Sequence, residues 1–337
     1  GDNGVSSFRT GLKIKMFGLG EKKFIGIDIG TSSIKVVELE VKDKKPILSN
    51  YAWIQDDTYL GSRDSKAAYF ETVFPEQLKK IFKEARMSVR KAHISIPSFG
   101  GLITLIEFPD MPEKDLDQAI KFEAHKYIPI PLEDIALSWE VVGRRSDAEI
   151  AIRKGSGAPA PSGEQGEKKM GKIHVLLVAA QKSQVEKYEK LARIAGFDIA
   201  SIEIESFPLV RSLVGNDQGN FIIVDIGSRA CNIMLVEKGI IKINRNIDAG
   251  GKDVTKSISR GMNIDENRAE NLKISGKSFF GAESGMNFPI IDIVIKEIMR
   301  VKNAHKQANP GTDREGVIRS GGTGGRGGMD GDFSEKL

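Results

Sequence analysis

Apolar residues alternate from Phe24 to Ile29 and again from Ile34 to Leu39, with Gly30-Thr31-Ser32-Ser33 between the two runs. Alternation on both sides of a small, polar, glycine-led break predicts two β-strands joined by a tight turn. Asp28 ends the first strand, where a carboxylate needs a partner if it is buried. "KAHISIPSFGGLITLIEF" predicts two strands about a Pro-Ser-Phe-Gly-Gly turn, and "IALSWEVVG" and "KIHVLLVAA" predict two more. Helical spacing takes over in "MPEKDLDQAIKFEAHKYI". There Leu116, Ala119, Ile120, Ala124 and Tyr127 share a face, and Pro112 and Glu113 suit the first turn. "KSQVEKYEKLARIAGF" predicts a second helix with Ser183 as its cap and Gly196 as its stop. Strands interleaved with helices place the chain in the α/β class.

The interrupted strand pair occurs twice. "FIGIDIGTSSIKVVEL" from Phe24 and "FIIVDIGSRACNIMLV" from Phe221 align without a gap, sharing Phe, Ile, Asp, Ile and Gly. Two copies of strand, Asp-x-Gly, turn and strand predict two similar lobes that face each other. A glycine at such a turn lets backbone N–H groups converge on an anion. Thr31, Ser32 and Ser33 add hydroxyls, and Lys35 adds a positive charge just beyond. Asp28 and Asp225 would repel a phosphate directly but suit hydrated Mg²⁺, which keeps several waters and takes few carboxylates. Two hairpins clasping one Mg-triphosphate form a coherent site.

Composition narrows the classes. The chain has 337 residues, long enough for two domains with real cores. Its 50 basic and 46 acidic residues give a net charge of +4, with no basic excess to call for nucleic acid. A single cysteine, Cys231, rules out an internal disulfide. No apolar run reaches the ~20 residues of a membrane helix, so a soluble cytoplasmic protein is expected. Met16 is the expected start, with residues 1–15 an upstream extension, and the chain is expected to stop short after "TGGRGGMDGDFSEKL". The Gly- and Pro-rich stretch between Gly143 and Lys172 is expected as a surface excursion.

Paired phosphate hairpins of this form resemble the actin-like ATPase superfamily, which includes FtsA and sugar kinases. The closer resemblance is to the PilM family of type IV pilus assembly. It is carried by "FIGIDIGTSSIKVVELE", "FPDMPEKDLDQAIKFEAHKYIPIPLEDIALSWEVVG", "RNIDAGGKDVTKSI", "RAENLKI" and the late "SGG". The resemblance implies an actin-like (ribonuclease H-like) bilobal fold with duplicated lobes and an inserted subdomain. Residues 16–89 and 179–219 would form the first lobe, 90–178 a partner-binding insert, and 220–337 a second lobe truncated at its end. Gly30, Thr31, Ser32, Ser33 and Lys35 would form the first phosphate loop, and Gly227 and Ser228 the second. ATP and Mg²⁺ are the implied cofactors. Glu270 and Lys273, three apart on one helical face, would border the adenosine, as would Gly321 and Gly322. Gly250 and Gly251 are further possible nucleotide contacts. Arg229, Ala230 and Asn232 stand where the family more often has small hydroxyl residues.

Other chemistry is weakly signalled. "GTGGRG" from Gly322 fits a dinucleotide pattern without its strand–turn–helix context, and the four histidines lack metal-ligand spacing. Cys231 lies within a strand and is expected to be packed. Ile128-Pro-Ile-Pro-Leu cannot continue a helix and would present apolar side chains in extended form. Phe122, Tyr127, Ile128 and Ile130 would line a groove for a partner peptide. The resemblance implies that this partner is the short cytoplasmic N-terminal segment of a PilN-like inner-membrane protein. The expected function is an ATP-binding scaffold on the inner face of the cytoplasmic membrane, with slow or no hydrolysis. The alternatives are an FtsA-like polymerising scaffold and, less favoured, a small-molecule kinase with Asp248 as its acceptor base.

Overall fold

The computed structural model describes residues 23–30, 32–43, 45–55, 66–145, 171–275, 286–308 and 315–320. Strands β1 (Lys23–Ile29) and β2 (Ser33–Lys42) form the first hairpin, and β3 (Lys45–Gln55) extends it. Helix α1 (Lys66–Glu84) leads to β4 (Lys91–Ile96), and a 3₁₀ turn at Ser98–Gly100 leads to β5 (Gly101–Pro109). Helix α2 (Glu113–Ala124), β6 (Ile135–Arg145) and β7 (Lys172–Gln181) follow. Next come α3 (Lys182–Ala195), β8 (Asp198–Ile204) and α4 (Ser206–Leu213). The second hairpin is β9 (Asn220–Ile226) and β10 (Cys231–Glu237), extended by β11 (Ile240–Ile247). Helices α5 (Gly251–Met262), α6 (Glu266–Ile274) and α7 (Pro289–Ala308) precede β12 (Glu315–Ser320).

The sheets repeat each other as the sequence predicts. The first runs β3-β2-β1-β4-β8 and another runs β11-β10-β9-β12. In each, an antiparallel meander is joined to a parallel strand, β4 beside β1 and β12 beside β9. Asp28 lies opposite Ser95 in one register and Asp225 opposite Ser320 in the other. The carboxyl ends of these parallel strands therefore carry matching residues, which is where open α/β sheets bind ligands.

A third sheet, β5-β7-β6, is wholly antiparallel. Strand β4, expected at the start of the insert, instead hydrogen-bonds within the first sheet, so the chain leaves that sheet only after Ile96. The turn at Ser98–Gly100 is a crossing between sheets rather than a hairpin tip. Gly101 is required there, because a Cβ would meet Ile204 Cδ1 at 2.4 Å and Ala179 O at 3.0 Å. The excursion between residues 146 and 170 lies outside the described residues.

Three apolar clusters hold these layers. The largest joins Ile27 and Ile94, Leu176 and Val178, and Ile223 and Met234, so one core passes through all three sheets. A second lies between β9–β10 and α7, and a third packs α2 against the insert sheet through Leu116, Ile120 and Ala124. Tyr127 departs from its expected place on that buried face. Helix α2 ends at Ala124, and Tyr127 in the following turn is 44% exposed. Ser183 does not cap α3 either: Gln181 holds the N-cap position, without a side-chain hydrogen bond. Gly196 does end the helix, in the left-handed conformation with φ of 79°.

Candidate functional site

Each hairpin tip closes in the same way. Gly30 N–H donates to Ser33 O at 3.0 Å, and Gly227 N–H donates to Ala230 O at 2.9 Å. A Cβ would stand 3.2 Å from Ser33 O in the first turn and 2.9 Å from Ala230 O in the second. These glycines are thus set by close backbone approach, and their own N–H groups tighten the turns. The N–H groups of Ser228 and Arg229, just beyond, make no hydrogen bond among the described residues. Thr31, Gly321 and Gly322 lie outside the described residues, although β12 ends at Ser320 opposite Asp225.

The two aspartates have different neighbours. Asp28 faces Lys35 across the strand pair, and Lys35 Nζ donates to its Oδ2 at 2.8 Å. Ser95 Oγ reaches Asp28 Oδ1 at 3.4 Å. Asp225 faces Asn232 across the second pair, at the position equivalent to Lys35. Burial pulls the Lys35 ammonium down, but the fields of Asp28, Asp225 and Glu205 outweigh it and hold its pKa above the ordinary value. Lys35 thus lies within electrostatic reach of the acids of both hairpins, and we refer to the space they share as the cleft.

Glu205 completes that cleft and was not singled out in the sequence. It follows β8 and precedes α4, in "IEIESF". Its Oε1 accepts from Ser98 N at 2.8 Å and from Asn232 Nδ2 at 2.8 Å. Burial first, and then the charges of Asp225 and Asp28, push its pKa above the ordinary carboxylate value, against the pull of those two donors. An acidic residue at the end of an apolar strand was the available signal, the same signal that picked out Asp28.

Ser98 is a junction between the lobes. Its Oγ lies 2.8 Å from Ser206 Oγ, and its carbonyl accepts from Asn246 Nδ2 at 3.2 Å. Asn232 and Asn246 are register partners in β10 and β11, so one row of the second sheet reaches across to the first lobe.

Gly250 and Gly251 sit against the second hairpin with their N–H groups already engaged. Gly251 N donates to Gly227 O at 2.9 Å, and Gly250 N donates to Asp253 Oδ2 at 2.9 Å. A Cβ on Gly250 would lie 2.6 Å from Gly227 O. These glycines let the start of α5 brace the turn.

Glu270 and Lys273 are together on α6, as their spacing predicts. Lys273 is only 7% exposed and donates to Glu270 Oε2 at 2.6 Å, Thr255 Oγ1 at 2.8 Å and Gly251 O at 3.1 Å. All three ammonium protons are thereby used, two of them tying α6 to α5 through Gly251 and Thr255 and one on Glu270 of α6 itself. Glu270 keeps an open edge, with its side chain 34% exposed.

Cys231 is fully buried, and burial followed by the Asp225 charge pushes its thiol up to about 12, so it carries no thiolate chemistry. Asp248 is exposed in the turn after β11. In the expected partner groove, Phe122 is 75% exposed and Ile130 half-buried, but Ile128 is a core residue at 7% exposure. Its side chain packs inward with Leu116 and Ile120 and cannot line a groove. Among the described residues, no three His, Cys, Asp or Glu side chains converge closely enough to hold a metal directly. Asp28, Asp225 and Glu205 around one lysine do leave an excess of negative charge that fits a cation kept in its water shell.

Comparisons with known proteins agree with this architecture. A solved PilM-PilN type IV pilus biogenesis complex superimposes with a TM-score of 0.70 at 21% identity, covering 93% of this chain and 85% of that one. The ethanolamine utilization protein EutJ of Carboxydothermus hydrogenoformans gives a TM-score of 0.50 at 16% identity, over 95% and 83% of the two chains. The fold is the actin-like one, with two related lobes. Among curated relatives, the cell division protein FtsA of Streptococcus pneumoniae is 20% identical over 84% of this chain. FtsA of Neisseria meningitidis is 22% identical over 75%. The chain spans 62% and 61% of the lengths of those two relatives. The family model for type IV pilus assembly protein PilM matches residues 26–151 and 164–337, and the chain belongs to that family.

Proposed function

We propose that this protein is a nucleotide-binding scaffold of type IV pilus assembly, which holds Mg-ATP between its hairpins and a PilN-like membrane protein on its insert. The observation that carries the nucleotide site is Lys35, which is attracted by both Asp28 and Asp225. Ser32, Ser33, Lys35, Gly227 and Ser228 would hold the phosphates, with Thr31 in the same turn. Asp28 and Asp225 would hold the waters of Mg²⁺, which supplies charge neutralisation of the phosphates. Glu270 would border the adenosine with its open edge. Lys273 would act there by fixing Glu270. Gly321 and Gly322 would follow β12 into the same region, and Gly250 and Gly251 would support the second turn from behind.

Membership of the PilM family and likeness to a solved PilM-PilN complex support the partner. We divide the chain by sheet: β1–β4 and β8 in the first lobe, β5–β7 in the insert, and β9–β12 in the second lobe. Phe122, Tyr127 and Ile130 are the apolar surface offered by the insert. No helix among the described residues is long and apolar enough to cross a membrane. In this reading the partner would hold the chain at the cytoplasmic face of the membrane.

The matches to FtsA favour a second reading, a polymerising scaffold. Sedimentation with Mg-ATP separates the two, since a pelleting chain supports the filament.

The test of the nucleotide site is a thermal melt with and without Mg-ATP, with phosphate release followed in parallel. Ligand at ~100 times its dissociation constant adds about 2.7 kcal/mol. A shift with negligible release supports a nucleotide-set scaffold. The absence of any shift overturns the nucleotide part of the proposal.

A further inference from the structure

The two hairpins are near copies, yet they differ at the residue that faces the aspartate. Lys35 turns to its own strand partner, Asp28, with an ion pair of 2.8 Å. Asn232, at the equivalent position, instead sends its Nδ2 across the lobe boundary to Glu205 Oε1 at 2.8 Å. Asn232 is 4% exposed, and its Oδ1 is buried without a hydrogen-bond partner. Leaving a buried amide oxygen without a partner is costly, so keeping Asn232 here calls for an explanation.

That explanation is visible at Glu205. Both donors to this carboxylate, Ser98 N and Asn232 Nδ2, meet the same oxygen, Oε1. Oε2 takes no hydrogen bond from the described residues and is left for the cleft shared with Asp28, Asp225 and Lys35. One donor belongs to the first lobe and the other to the second. The carboxylate therefore keeps both donors on Oε1 only while the lobes keep this relation.

We propose that Asn232 is a positioning residue of the nucleotide site: from the second lobe it orients Glu205 of the first, so that the cleft binds Mg-nucleotide only when the lobes are docked. This rests on the nucleotide reading above and adds a residue that the repeat places out of line with its counterpart. A lobe rotation that separates Asn232 from Glu205 would leave the carboxylate on Ser98 N alone, and Glu205 would no longer be aimed to support a hydrated cation held by Asp28 and Asp225. Conversely, Mg-nucleotide in the cleft favours the docked relation and so reports its presence to the Ser98 junction. The insert strand β5 begins at Gly101, three residues beyond Ser98.

A double-mutant cycle tests the role, with Mg-ATP affinity as the readout. Asn232→Leu removes the donor and fills a similar space, and Asn232→Ala is made alongside it in case the leucine does not pack. Either is expected to weaken Mg-ATP binding about tenfold or more, the usual effect of losing a hydrogen bond to a charged group. Glu205→Gln is expected to weaken it as well. In the Glu205→Gln background, the Asn232 substitutions are expected to add less than about twofold, because Asn232 acts through the carboxylate. Independent, multiplying losses overturn the proposal, as does an Asn232 variant that binds like the wild type. A wild-type chain that binds no Mg-ATP overturns the nucleotide reading and this role together, and it does so before any variant is made.

Discussion

Lys35 stands directly across the first hairpin from Asp28 and is joined to it by a 2.8 Å ion pair at the mouth of the cleft. The lysine side chain is 58% exposed and the aspartate 37%, so the pair itself adds at most about 1 kcal/mol to stability. In the proposed site the role of Lys35 would be to meet the phosphates. Lys35→Met is expected to change urea stability by under about 1 kcal/mol while abolishing the Mg-ATP-induced rise in melting temperature. A large loss of stability with the nucleotide shift intact would make Lys35 a purely structural residue.

Gly250 packs backbone to backbone against the second hairpin. Its φ of −162° is ordinary extended backbone, so the constraint is space: a Cβ would lie 2.6 Å from Gly227 O and 2.9 Å from Ser228 O. Gly250→Ala must push α5 away from the turn and break the bond from Gly251 N to Gly227 O. A loss of about 2–3 kcal/mol is expected by denaturant unfolding, comparable to other overpacked sites. Gly100→Ala is the control, with nothing within 4 Å of the new methyl group, and should be nearly neutral.

The hairpins, their duplication and the acid at each strand end were legible because local alternation and a glycine turn write themselves into a short stretch. Topology was less so. Strands β4 and β5 are adjacent in sequence and alike in composition, yet they belong to different sheets. The crossing depends on the contact of Gly101 with Ile204, more than a hundred residues away. Glu205 escaped notice for the same reason, since its partners Ser98 and Asn232 come from distant segments. Ile128 was misplaced because an extended Pro-rich segment can turn its apolar side chains inward or outward. Only the packed α2 decides the matter, by covering Ile128 with Leu116 and Ile120.

Glu38 gives the fold a pH dependence with a definite sign. Its carboxylate is 3% exposed and accepts from Ser88 N at 2.7 Å, Ser88 Oγ at 2.9 Å, Ser49 Oγ at 2.9 Å and Lys23 Nζ at 3.2 Å. Burial opposes ionisation, but these donors outweigh it and lower the pKa to about 2 from 4.5. A folded pKa below the unfolded one stabilises at pH above about 4.5, and that contribution is lost as pH falls toward about 2. Glu38→Gln should cost about 2 kcal/mol at pH 7. Its stability should also fall less steeply than the wild type's between pH 5 and pH 3, as measured by urea midpoints. Parallel acid profiles for the two proteins would refute this assignment.

Lys273 is a buried cation with three acceptors, and its removal would leave Gly251 O and Glu270 Oε2 with only the Thr255 hydroxyl as a side-chain donor. Lys273→Met fills the volume but leaves Glu270 Oε2 without its ammonium partner and Gly251 O without a donor from α6. The expected loss is about 2–4 kcal/mol in the absence of nucleotide, in line with breaking a buried pair on one side only. Were Lys273 held solely for nucleotide contact, the ligand-free stability would not move.

The insert offers a contrast between two apolar residues expected in the same groove. Phe122 projects from α2 at 75% exposure, whereas Ile128 is 7% exposed within the cluster beneath that helix. Phe122→Ala should leave urea stability within about 0.5 kcal/mol of the wild type. If Phe122 anchors the partner, the same change should weaken binding of a synthetic PilN-like N-terminal peptide by at least about 2 kcal/mol, or roughly thirtyfold. Ile128→Ala should do the reverse at first order, destabilising the fold by about 2–4 kcal/mol through the cavity it leaves. Its effect on the peptide should follow only from the unfolded fraction, and so should disappear at low temperature. Isothermal titration on both variants, each with a melt on the same sample, separates contact from collapse. Full-strength peptide binding by Phe122→Ala would move the partner surface off the exposed face of α2.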